Sequence, residues 1–301
     1  MKKFQILDGG MGRELKRIGA PFRQPEWSAL AMIEAPDAVL AVHRSYVGAG
    51  ADVITTNSYA LVPFHIGDER FVRDGQSLAD LAGKVARQAA DESQDRKVRV
   101  AGSLPPLFGS YRPDLFDATK ASQLLKPLVS GLSAHVDMWL AETLSAIAEA
   151  RVVAEMLAGD DRPCWFSFTL EDGTEAAATG ALLRSGEPVE DAVRFALEND
   201  AAAILFNCSQ PEVMEAAVAQ AVAEMQKAEK TIPVGVYANA FPPQSKQATA
   251  NETVMPIRDD LDPEGYLGWV DKWLGTGAEI VGGCCGIGPE HITQIAASRR
   301  A

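Results

Sequence analysis

The sequence predicts a (β/α)8 barrel forming one domain over residues 1–301. Short apolar runs and helix-period patterns alternate eight times along the chain. The runs are almost continuously apolar, as strands buried on both faces must be. No Gly-x-Gly-x-x-Gly follows the first run, which argues against the alternative, a doubly wound open sheet. Asp8-Gly9-Gly10-Met11-Gly12 is rich in glycine but has the wrong spacing for a dinucleotide-binding turn. Barrels of this kind take about 250 residues, and 47% hydrophobic residues with no break in composition suffice for one large core.

The first strand is expected at Gln5–Asp8, followed by a helix at Pro36–Ala49 with Val39, Leu40, Val42, His43 and Val47 on one side. Strands then fall at Asp52–Asn57, Val98–Ser103 and Val136–Glu142, with a helix over Ser145–Leu157 after the fourth. The remaining four are Cys164–Leu170, Ala202–Cys208, Ile232–Tyr237 and Glu279–Cys284. Pro188-Val189-Glu190-Asp191, Pro211-Glu212, Asp262-Pro263-Glu264 and Pro289-Glu290 mark helix starts. Proline costs no hydrogen bond in a first turn, and acids there favour the helix dipole. After the seventh strand, Phe241–Pro256 has no periodicity and is read as a lid over the active face.

Net charge is −13, and no run of Lys or Arg could track phosphates, so nucleic acid is not an expected partner. No apolar stretch approaches the roughly 18 residues of a membrane helix, and the N-terminus lacks a signal-peptide core. The expected protein is soluble and cytoplasmic, with a homo-oligomer left open. Four cysteines, two of them adjacent, cannot form a secreted disulfide framework. Reduced thiols or metal-bound thiolates fit better.

Barrel active sites collect at the C-terminal ends of strands, where Asp8, Asn57, Glu142, Cys208, Cys284 and Cys285 are expected. Three sulfurs match a zinc site that keeps its fourth position for water or substrate. Adjacent side chains of a regular strand face opposite ways, and Gly282, Gly283 and Gly286 provide the freedom for Cys284 and Cys285 to face one ion. Cys164 opens its strand and is expected to be core filler. His43 and His291 fall in helices, His135 precedes a strand and His65 lies in a loop; none is expected to be a ligand, which argues against a zinc hydrolase. A redox-active or merely buried trio of thiols is the competing interpretation.

Taken together, Leu7-Asp8-Gly9-Gly10-Met11-Gly12-Arg13-Glu14-Leu15, Gly50 through Tyr59, Asp137-Met138-Trp139-Leu140-Ala141-Glu142-Thr143, Asn207-Cys208 and Gly282-Gly283-Cys284-Cys285-Gly286 resemble the homocysteine S-methyltransferase family over nearly the whole chain. The resemblance implies a barrel in which Cys208, Cys284 and Cys285 hold Zn2+ and the homocysteine sulfur completes the coordination. It further implies that Asp8, with Gly9 beside it, and Glu142 hold the amino-acid part of homocysteine. Trp27 and Tyr59 resemble aromatic positions that, in the betaine-using branch, face the cationic centre of the methyl donor, an attraction of roughly 0.5–2 kcal/mol. Thr143 departs from the tyrosine of the betaine-using branch, which shifts the expected donor toward a sulfonium such as S-methylmethionine or S-adenosylmethionine. The chain is also expected to work without a corrinoid domain. Alternatives are another thiol or selenol acceptor, or a non-catalytic zinc- or redox-sensing barrel.

Overall fold

The computed structural model describes residues 3–172, 180–243 and 256–299. Eight parallel strands form one sheet: β1 Gln5–Ile6, β2 Val53–Thr55, β3 Arg99–Leu104, β4 Met138–Leu144, β5 Cys164–Phe168, β6 Ala203–Asn207, β7 Val234–Tyr237 and β8 Ile280–Val281. Their order is β1-β8-β7-β6-β5-β4-β3-β2, and a parallel bridge between Leu7 and Val53 brings the ends together. The Asp8 N–H donates to the Val53 carbonyl at 3.1 Å and the Asp52 N–H to the Ile6 carbonyl at 2.7 Å, completing the closure. The fold is therefore the expected (β/α)8 barrel.

Two apolar layers follow from strand alternation. Leu7, Val53, Ala101, Met138, Leu140, Trp165, Leu205, Tyr237 and Ile280 fill the interior as one cluster. Their neighbours Ile54, Trp139, Phe166, Ile204, Phe206 and Val281 join the larger cluster that includes helix residues such as Tyr46, Trp273 and Ile292. With both strand faces buried, the runs read as uninterrupted apolar stretches in the sequence.

The helix predicted at Pro36–Ala49 has those bounds, and the one expected at Ser145–Leu157 is Ile147–Met156. Prolines 211, 263 and 289 stand in the first turns of Pro211–Ala228, Pro263–Thr276 and Pro289–Ser298. The Asp262 carboxylate caps the second of these by accepting from the Gly265 N–H at 2.8 Å. Two further helices, Met11–Arg17 and Ser28–Glu34, precede Pro36 and were not anticipated. Each has seven residues, too short for periodicity to distinguish from loop.

Three expectations need correction. Glu142 is inside β4, which continues to Leu144 with a shift of register between Ala141 and Leu144. Cys284 lies beyond β8, whose regular pairing ends at Val281, although single backbone hydrogen bonds from Gly282, Gly283 and Cys284 continue past it. His65 belongs to the short helix Pro63–Ile66, where its ring Nδ1 meets the Pro25 carbonyl at 2.8 Å. Of the loop read as a lid, residues 244–255 lie outside the described residues. No described helix is long and apolar enough to cross a membrane.

Candidate metal centre and amino-acid pocket

Cys208 immediately follows β6, with a left-handed φ of 51°. That conformation costs a non-glycine residue about 1–2 kcal/mol, so its surroundings must hold it. The Cys208 N–H donates to the Tyr237 carbonyl at 3.3 Å, continuing the β6–β7 ladder by one residue. From the other side of β7, the Cys284 N–H donates to the Ala238 carbonyl at 2.9 Å and the Ala240 N–H to the Cys285 carbonyl at 2.8 Å. The end of β7 and the segment after it thus connect all three cysteines.

The turn presenting Cys284 and Cys285 depends on its glycines. Gly286 has φ +89°, and a Cβ on Gly283 would lie 2.2 Å from Ile287 Cγ2. Gly283→Ala should therefore lower stability by about 1–3 kcal/mol through overpacking. Thermal melting checks this, and an unchanged midpoint would show that the turn yields easily.

All three sulfurs lie within 4.8 Å of one another. Sulfur ligands about 2.3 Å from a tetrahedral zinc ion are separated by roughly 3.8 Å; the set fits such an ion by its chemistry, and the bonded Cys208–Cys284 pair has to be reduced and part to reach that spacing. Cys208 is buried, while Cys284 and Cys285 are half-buried. The structure joins Cys208 to Cys284 as a disulfide and leaves Cys285 free; ligation requires the first two as reduced thiolates. Burial pushes the Cys285 thiol up to about 11, opposed by the positive charge of Arg13. Arg13 also lies over the Phe241 ring, 5.2 Å from its centre.

Two carboxyls lie deeper in the mouth. Asp8 accepts from the Thr55 N–H at 2.8 Å and the Thr55 hydroxyl at 3.0 Å. Glu142 accepts from the Ser103 hydroxyl and, at 3.3 Å, from the Tyr237 hydroxyl. Each is raised to about 7, chiefly by burial, with the charge of Glu142 contributing to the rise of Asp8. Removal from water opposes ionisation faster than these hydrogen bonds restore it.

The other expected residues are placed as follows. Gly9 packs so closely that a Cβ would come 2.3 Å from the Ile287 carbonyl oxygen. The Tyr59 hydroxyl meets the Ser110 hydroxyl at 2.6 Å, and burial raises its pKa. Trp27 precedes helix Ser28–Glu34 with φ 49° and packs edge-on against Phe22 at 5.5 Å. Asn57 donates to the Ser28 carbonyl at 3.1 Å. Cys164 is half-buried against the outer core layer. His43 is fully buried, and burial lowers it to about 4.

Sequence reading missed the side chains that support this mouth. Asn207 accepts from the Thr143 N–H at 3.0 Å and the Ser167 hydroxyl at 2.8 Å, while donating to the Thr143 hydroxyl at 2.8 Å. Arg184 and Asp172 form a buried ion pair at 3.1 Å. The only available signal was that Asn207 ends an apolar strand; Asp172 and Arg184 carried none.

Residues 5–298 match the family model described as homocysteine S-methyltransferase. The selenocysteine methyltransferase of Astragalus bisulcatus is 27% identical, the alignment covering 96% of this chain and 90% of that protein. Homocysteine S-methyltransferase 2 of Arabidopsis thaliana is also 27% identical, covering 97% and 92% respectively. Among solved structures, the metallated form of the homocysteine methyltransferase MmuM from Escherichia coli superimposes with a TM-score of 0.77 at 27% identity, covering 99% of this chain and 96% of that one.

Proposed function

The chain belongs to the homocysteine S-methyltransferase family, and from that premise we propose that it moves a methyl group from an onium donor to homocysteine, with zinc held by Cys208, Cys284 and Cys285. The observation carrying this reading is the convergence of three sulfurs within 4.8 Å at the barrel mouth that also holds Asp8 and Glu142. A zinc ion held there would lower the pKa of an incoming thiol and favour its thiolate near neutral pH.

Asp8 and Glu142 receive the substrate ammonium. Thr55 orients the first, and Ser103 with Tyr237 orients the second. This leaves the substrate side chain to extend toward the cysteines. Tyr59 and Trp27 offer aromatic faces to the donor cation.

In the transfer, a bond forms between sulfur and the methyl carbon as the bond from that carbon to the onium atom breaks. Its electron pair neutralises the leaving donor, and the thiol proton has already gone to solvent. No acid or base is required at the carbon, so the protein contributes alignment, worth several kcal/mol. The donor class we favour is a sulfonium, as Thr143 follows Glu142 where the betaine-using branch carries tyrosine.

A selenol acceptor is the second reading, supported by the relative named for selenocysteine; a more polarisable nucleophile could use the same sulfur-rich centre. Zinc quantification under reducing conditions, followed by a panel of S-methylmethionine, S-adenosylmethionine and betaine against homocysteine and selenocysteine, tests both. One zinc per chain and methionine formation from a sulfonium are expected. Turnover with betaine alone would refute the donor assignment.

A further inference from the structure

The turn carrying Cys208 is gripped by two loops from distant parts of the sequence. Tyr111, between β3 and the helix Ala118–Leu132, donates its hydroxyl to the Cys208 carbonyl at 3.2 Å. Thr169, just after β5, donates to the same carbonyl at 3.5 Å. Arg184 lies over the Tyr111 ring, 4.9 Å from its centre. It pairs with Asp172, whose other carboxylate oxygen accepts from the Gln210 N–H at 2.9 Å. The contacts therefore run from Cys208 through Tyr111, Arg184 and Asp172 back to Gln210, two residues beyond the cysteine.

We propose that Tyr111 is a positioning residue for the metal-binding sulfur of Cys208, acting through the Cys208 carbonyl and braced by Arg184 and Asp172. This rests on the zinc assignment above and extends it to residues that touch neither metal nor substrate. Orientation of Cys208 depends on a left-handed backbone. A hydroxyl fixing its carbonyl sets the peptide plane, and the plane sets where Cβ and Sγ point. Groups that orient metal ligands from behind alter affinity by about 10- to 100-fold. Tyr111 is itself buried, so its hydroxyl reaches the carbonyl with little competition from water.

The experiment measures zinc affinity by competition with a chromophoric chelator under reducing conditions, for the full chain and for Tyr111→Phe, with melting of the metal-free proteins recorded in parallel. Expected is a loss of zinc affinity of about tenfold or more, with the homocysteine KM unchanged at saturating zinc. A purely structural tyrosine would shift the melting midpoint and leave affinity intact. Affinity within twofold of the parent therefore overturns the proposal, whatever the melting shows. If Tyr111→Phe does not fold, Thr169→Val removes the other hydroxyl from the same carbonyl and is judged by the same criterion. A parent chain that takes up no zinc overturns the metal assignment and this proposal together, whereas normal zinc uptake by parent and variant alike overturns this proposal alone.

Discussion

Alanine at Cys208, Cys284 or Cys285 is expected to remove zinc binding and to reduce methionine formation by at least about 10³-fold. A thiol with an unperturbed pKa of about 8.5 is only a few per cent ionised at pH 7, so losing the thiolate alone costs roughly 30-fold. Losing its fixed direction toward the methyl carbon costs considerably more, because aligned reactants gain several kcal/mol over free ones. Two sulfurs do not complete the site, since a catalytic zinc takes three protein ligands. Folding should survive, because Cys284 and Cys285 are half-buried in the mouth and Cys208, though buried, belongs to neither apolar core cluster. The measurements are zinc content, methionine formation and melting of each variant. A zinc-free variant that makes methionine at the parental rate would remove the metal from the proposal.

The barrel was legible because each strand is buried on both faces, so apolar runs such as Ala202 through Phe206 stand out without knowledge of their neighbours. Strand ends were less legible. β8 is only Ile280–Val281, although the Gly282 N–H still donates to the Val236 carbonyl and the Gly283 N–H to the Asp8 carbonyl; where regular pairing stops is set by neighbours that local sequence does not encode. The helix Met11–Arg17 was hidden for a related reason: its buried face amounts to Glu14 and Leu15, too few residues to make a period. Cysteines could be recognised because thiols are rare in this chain. The support behind them could not, since Tyr111 meets a carbonyl 97 residues away and a hydroxyl in a loop carries no pattern of its own. Asp8 and Glu142 were expected at strand ends as individual acids. Their shared displacement toward neutral pKa follows from joint burial, which only the closed barrel creates.

Those two acids give the second large effect. Asp8→Asn and Glu142→Gln should each raise the homocysteine KM by roughly 10- to 100-fold, the equivalent of losing a charged hydrogen bond of about 1.5–3 kcal/mol. The pH dependence follows from the direction of the shifts. Each carboxyl rises to about 7 in the folded chain, from 3.8 for Asp8 and 4.5 for Glu142. Without substrate, their contribution to stability is fully present below about pH 4 and is lost as pH rises through about 7. An ammonium reverses the preference, since it binds the ionised acids. Homocysteine binding must therefore release protons below neutrality, and its KM should fall as pH rises from 5.5 to 7.5 before levelling off. Because the acids interact, the slope belongs to the pair. Either amide variant should flatten it by about one proton. Steady-state KM across that range, for the parent and both variants, decides the point. The same slope in all three proteins would mean that the titration belongs to the substrate thiol, and the amino-acid pocket would have to be sought elsewhere in the mouth.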